Sequence, residues 1–175
     1  MSLSGARVLV LAADLFEDTE LLYPVIRLKE EQAEVTVASL DGEPVTGKRG
    51  HPYPAQASVD DIRADDFDGL VIPGGYAPDA LRQSDAVLDL VRAFDAAEDP
   101  IAFICHAGWV PISAGILDGR RATSVGAIRD DMVNAGCAWE DAEVVVDHHL
   151  ISSRTPRDLG PWLRSLITAL GGRIS

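Results

Sequence analysis

Short strand-like runs that alternate with helical ones constrain this chain more than any other feature. Arg7 to Ala12, Glu34 to Ser39, Gly69 to Ile72 and Ile101 to Ile104 read as strands, three of them almost wholly apolar. Such runs suit a parallel sheet, whose strands are buried on both faces. Between the first two, Asp14-Leu15-Phe16-Glu17 is expected to open a helix of about four turns reaching Glu31, with Leu21, Leu22, Val25, Ile26 and Leu28 inward. Val87, Leu88, Val91 and Phe94 put Asp85 to Ala97 at helical spacing. Shorter helices are expected at Gly108 to Ala114 and at Ile128 to Asn134, the latter stopped by Gly136. Val144 to Val146 and Leu150 to Ser153 read as an antiparallel hairpin, and Pro156 to Leu170 as a closing helix. Gly47 to Pro54 is rich in turn residues and is expected to be irregular. The alternation predicts an α/β sandwich with a mostly parallel sheet. No repeat or linker divides the sequence, so one domain over residues 1–175 is expected.

Composition narrows the partners. Formal net charge is −13, which argues against nucleic acid and anionic membranes, because the cations that would neutralise phosphate are missing. No apolar run approaches the ~20 residues of a membrane helix. The N-terminal Met1-Ser2-Leu3-Ser4-Gly5 lacks the basic flank and cleavage site of a signal peptide. Two cysteines, Cys105 and Cys137, make no disulfide framework and show no zinc spacing. A reducing cytoplasm fits, and there a thiol stays available. No cofactor and no metal are expected. His51 reads as part of a surface turn, Cys137 as a buried bystander, and His148-His149 as a hairpin turn without a third metal ligand.

In open α/β sheets, chemistry gathers beyond the carboxyl ends of the strands. Three suggestive groups fall there. The run Ile101-Ala102-Phe103-Ile104-Cys105-His106-Ala107-Gly108-Trp109 delivers a cysteine onto a sharp strand-to-helix turn, where a nucleophile is presented and a helix N-terminus favours the thiolate. A buried apolar cysteine is the plain alternative. Glu17 follows the first strand, and a carboxyl beside a thiolate should have a raised pKa and donate a hydrogen bond to sulfur. It could also be an ordinary first-turn glutamate, the reading that the acidic run Glu17-Asp18-Thr19-Glu20 favours. Gly74 and Gly75 could offer backbone N–H groups for an oxyanion, with an N–H just after Cys105 at His106-Ala107. They could also be only a tight turn. His106 needs an unusual backbone to serve as base beside its own neighbour. Asp79 is a candidate to orient it, or a helix cap.

Taken together, Phe16-Glu17-Asp18-Thr19-Glu20, Thr46-Gly47-Lys48, Pro73-Gly74-Gly75-Tyr76-Ala77-Pro78-Asp79, Ile104-Cys105-His106, Ile112-Ser113-Ala114-Gly115, Asp130 to Gly136 and Ser152-Ser153-Arg154 resemble the PfpI-type intracellular proteases. That family lies in the superfamily of the protein deglycases and class I glutamine amidotransferases. The resemblance runs from about Arg7 to Leu170. It implies a flavodoxin-like three-layer sandwich with a nucleophile elbow. It implies Cys105 as nucleophile, Glu17 as its carboxyl partner and His106 as base, oriented by Asp79 of a neighbouring subunit. It also implies self-association into dimers or hexamers that complete the site. Two positions depart from the family pattern. Ala107-Gly108 stands where Gly-Pro is usual, putting a Cβ in the elbow and loosening the helix start, and Asp79 stands where Glu is common.

The resemblance leaves two chemistries, attack on a peptide carbonyl and attack on a reactive aldehyde or its early protein adduct. A small crevice half-closed by a neighbour suits dicarbonyls, so a glyoxalase or deglycase is the expectation, with a cysteine protease as the alternative. A non-catalytic reading, Cys105 as a redox sensor in a stress-response or chaperone protein, stays beside both.

Overall fold

The computed structural model describes residues 2–171. The strands are β1 (Arg7–Ala12), β2 (Glu34–Ser39), β3 (Val45–Thr46), β4 (Pro52–Tyr53), β5 (Ala57–Ser58), β6 (Gly69–Ile72), β7 (Ile101–Ile104), β8 (Arg121–Ala122), β9 (Ala138–Trp139), β10 (Val144–Asp147) and β11 (Leu150–Ser153). The helices are α1 (Asp18–Glu30), α2 (Ala77–Leu81), α3 (Asp85–Ala96), α4 (Trp109–Ala114), α5 (Arg129–Asn134) and α6 (Leu159–Gly171).

Seven strands form one sheet in the order β10-β11-β7-β6-β1-β2-β5. All its pairings are parallel except that of β10 with β11, the expected hairpin. The central strands β6 and β7 are buried at every residue, and β1 at every residue after Arg7. Helices must therefore cover both faces of the sheet, as in the three-layer sandwich. Trp162 and Leu166 of α6, Phe94 of α3 and Leu21 and Leu28 of α1 are buried in one core with Leu9, Leu70 and Phe103 from the strands.

Four local expectations change. The first helix begins at Asp18 rather than Asp14, because Leu15 takes a left-handed backbone (φ 64°) and Phe16 bridges Gly75 instead of coiling. Residues expected to be irregular form a small antiparallel ladder, β3 with β4. Its tip is fastened to the loop before α1: Leu15 N–H donates to Thr46 O (2.7 Å), Lys48 N–H to Phe16 O (2.9 Å) and Arg49 N–H to an Asp18 carboxyl oxygen (3.1 Å). The helix at α2 begins at Ala77, so Asp79 lies inside its first turn rather than capping it. The closing helix starts at Leu159, after a single 3₁₀ turn at Pro156–Asp158; it runs through Gly171, and Gly172 lies outside the described residues.

Candidate active site

β7 ends at Ile104, and the chain turns at once. Cys105 has φ 63°, a conformation costly for a residue with a side chain and recurrent where strain serves a site. Residues Cys105–Gly108 make a 3₁₀ turn before α4 begins at Trp109. Cys105 is left half-buried at the carboxyl edge of the sheet. This unusual backbone also lets adjacent side chains meet, with His106 Nδ1 lying 3.4 Å from Cys105 Sγ. Burial lowers the His106 pKa, with the Lys48 charge adding to the effect, so the imidazole is neutral and free to accept a proton at pH 7.

The carboxyl beside this sulfur is that of Glu20, and Glu17 faces elsewhere. Helical side chains lean toward the N-terminus of their helix. Glu20, in the first turn of α1, is thereby brought against Gly74 and Cys105. It is wholly buried, with one oxygen accepting the Gly74 N–H at 2.8 Å and the other, Oε1, without a hydrogen-bond partner among the described residues. Burial, chiefly, raises its pKa from 4.5 to about 8; the neighbouring Glu17 charge raises it further, and the Gly74 N–H opposes both. Protonation at Oε1 relieves the orphaned oxygen. Glu17 precedes the helix in extended conformation and pairs instead with Lys48, whose pKa it raises.

The sulfur's electrostatics follow from the same neighbours. Burial and a charged Glu20 push the Cys105 thiol up to about 12, against the N–H groups of His106 and Gly75 and the Lys48 ammonium, which favour the thiolate. These shifts belong to different protonation states. At neutral pH Glu20 keeps its proton, so its repulsion is absent and a carboxylic acid stands beside the sulfur instead. The helix contributes little, because α4 has six residues and the N–H groups facing the sulfur are local ones.

The expected oxyanion donors divide. The Gly74 N–H is committed to Glu20, whereas the Gly75 and His106 N–H groups point at the sulfur. Both glycines are sterically required. A Cβ on Gly74 would strike the Glu20 carboxyl and stand 2.8 Å from the Cys105 Cβ, and Gly75 (φ 80°) packs against the Leu15–Glu17 backbone. Ala107 is fully buried behind the elbow, so its methyl is accommodated. Gly108 has a packing reason of its own: a Cβ there would lie 2.7 Å from the Met132 sulfur, so its absence lets α5 close on the elbow.

Asp79 is exposed on α2, and its carboxylate makes no hydrogen bond or ion pair among the described residues. His51 is exposed, and Cys137 is buried. His148 projects outward while His149 is buried, its Nε2 lying 2.7 Å from an Asp95 oxygen, so the adjacent imidazoles do not converge. The residues that sequence reasoning missed are Glu20 and Lys48. Both stood inside the quoted motifs, but only the point at which α1 starts assigns them.

The profile of the DJ-1/PfpI family matches residues 6–169. A deglycase of Pyrococcus abyssi is 47% identical over 164 residues, which cover 94% of this chain and 99% of the relative. YraA of Bacillus subtilis, which carries a cysteine-protease name, is 39% identical over 165 residues, covering 94% of this chain and 98% of that one. The crystal structure of Drosophila melanogaster DJ-1beta superposes with a TM-score of 0.89 at 30% identity, covering 98% of this chain and 92% of that one. No helix among the described residues is long and apolar enough to cross a membrane.

Proposed function

The chain belongs to the DJ-1/PfpI family, and from that premise we propose that it is a cysteine-dependent enzyme of the deglycase and glyoxalase type, acting on reactive carbonyls. The observation that carries the reading is the convergence at one strained elbow of a half-buried cysteine, a neutral imidazole 3.4 Å away and a buried carboxyl raised to about 8. Cys105 Sγ attacks the aldehyde carbon while its proton passes to His106 Nδ1. The carbonyl oxygen becomes the hydroxyl of a hemithioacetal, beside the Gly75 and His106 N–H groups. With a 2-oxoaldehyde, the hydrogen on that carbon leaves as a proton and returns at the neighbouring carbon, which becomes the carbinol. The first carbon is then a thioester. Water hydrolyses it, releasing a 2-hydroxy acid and the thiol. Glu20 and His106 are the groups placed to move these protons.

Asp79, exposed and with its carboxylate unpartnered among the described residues, is assigned to a neighbouring subunit's His106, so self-association into dimers or hexamers belongs to this reading, as does a cytoplasmic setting. Proteolysis is the second reading, favoured by the relative with a cysteine-protease name. Purified protein assayed in parallel on methylglyoxal and on an unstructured peptide separates the two, with Cys105→Ala as control. Methylglyoxal turnover abolished by Cys105→Ala is expected. Peptide cleavage alone would select the protease, and turnover that survives Cys105→Ala would overturn both.

A further inference from the structure

A base must be aimed as well as present, and among the described residues no carboxylate is hydrogen-bonded to the His106 ring. It has an indole instead. The His106 and Trp109 rings lie 5.2 Å apart between centroids, tilted by 57°, within the range of an attractive aromatic pair. Trp109 is itself anchored. Its Nε1–H donates to an Asp131 carboxylate oxygen of α5 at 2.8 Å, and the Arg82 guanidinium lies over the indole, 5.6 Å from its centroid. Met132, the residue after Asp131, packs against Gly108 at the elbow, so α5 is seated where Asp131 can reach the indole. Two segments, α5 and the residue that follows α2, thus converge on the first side chain of α4, whose other neighbour is the proposed base.

From this we infer that Trp109, anchored by Asp131, is a positioning residue that holds the His106 imidazole at the Cys105 sulfur. The inference rests on the reading of His106 as base, but its central measurement does not require turnover. The device operates within a single chain, before any contribution from a neighbouring Asp79.

The test is proton and nitrogen NMR of the histidine rings in wild type, Trp109→Ala, Trp109→Phe and Asp131→Asn, with His106→Ala identifying the signals among only four histidines. Ring-current-shifted His106 resonances are expected in wild type. They should move toward free-imidazole positions in Trp109→Ala and only partway in Asp131→Asn, which weakens the anchor, and in Trp109→Phe, which keeps an aromatic ring but loses the anchor. On methylglyoxal, Trp109→Ala should lose roughly tenfold in kcat, a fraction of what a positioned base contributes, with KM within about twofold. Trp109→Phe should recover part of that loss. His106 resonances unchanged in both Trp109 variants would overturn the inference. Should wild type turn over no methylglyoxal, the proposed chemistry fails while the resonances still decide whether Trp109 positions the ring. If Trp109→Ala does not fold, the Trp109→Phe and Asp131→Asn spectra decide it.

Discussion

Replacing Glu20 with Gln should make the protein markedly more stable at alkaline pH relative to wild type. The unfolded carboxyl titrates near 4.5, and the folded one is held up to about 8. Below 4.5 both states hold the proton and the group contributes no pH dependence. Between 4.5 and 8 the unfolded chain is ionised while the folded chain keeps its proton, so rising pH disfavours folding. Above 8 both are ionised and the full cost is present. Three and a half units, at about 1.4 kcal/mol each, come to ~5 kcal/mol, most of it already lost at pH 7. That is a large share of the ~5–15 kcal/mol typical of a domain. Gln has nearly the same volume and can still accept the Gly74 N–H, but it carries no charge at any pH. Urea unfolding of both proteins from pH 4 to pH 9, at one protomer concentration, gives two stability curves in which the titrating groups remote from Glu20 cancel. Their difference should grow by roughly 5 kcal/mol across that range, in favour of the Gln variant. Parallel curves would refute the reasoning, because they would mean that Glu20 ionises in the folded protein as it does in water.

Glu20→Leu removes the acid that stands beside the sulfur, and iodoacetamide labelling of Cys105 against pH should shift upward by about 1–2 units, the worth of a charge-assisted hydrogen bond. A downward shift would show that Glu20 acts on the sulfur through its charge. Gly74→Ala should lower the thermal midpoint and slow Cys105 labelling, since the new methyl meets both the Glu20 carboxyl and the Cys105 Cβ. A cost of ~1–3 kcal/mol is expected from such overpacking, and an unchanged midpoint would count against the tight turn. Mixing inactive Asp79→Ala and Cys105→Ala subunits should restore part of the methylglyoxal turnover once exchange is verified by native mass spectrometry; verified exchange without recovery would remove Asp79 from the neighbour's site.

Much of this architecture could be read from the sequence because local chemistry determined it. β1, β6 and β7 fall where the apolar runs put them, since a strand buried on both faces can be composed of little else. The elbow was readable for the same reason: an apolar strand that stops at a cysteine among small residues has few ways to continue. What could not be read depended on contacts between distant segments. Glu17 and Glu20 are almost one helical turn apart, and which of them enters the site depends on whether α1 begins at Asp14 or Asp18. That start is set by Leu15 and Phe16 bonding to Thr46, Lys48 and Gly75, partners about 30 to 60 positions away that no helical periodicity reports. Lys48 was hidden by the same cause, because an apparently irregular stretch gave no sign that its tip folds back over the first strand's exit. Gly108 looked like a loosened helix start, and only the Met132 sulfur against it explains the missing side chain.

The fastening of the 46–50 tip to the loop ahead of α1 separates the integrity of the sheet from that of the crevice. β3 and β4 lie outside the seven-stranded sheet, and Arg49 stands well exposed next to Gly50. A single nick by trypsin after Arg49 would leave the large sheet and its helices intact, yet would open the β3–β4 tip one residue after the lysine whose ammonium faces Glu17. Such a clipped molecule would pass for native by circular dichroism while its thiol chemistry had changed, so in preparations of this protein a folded spectrum is no guarantee of a competent site.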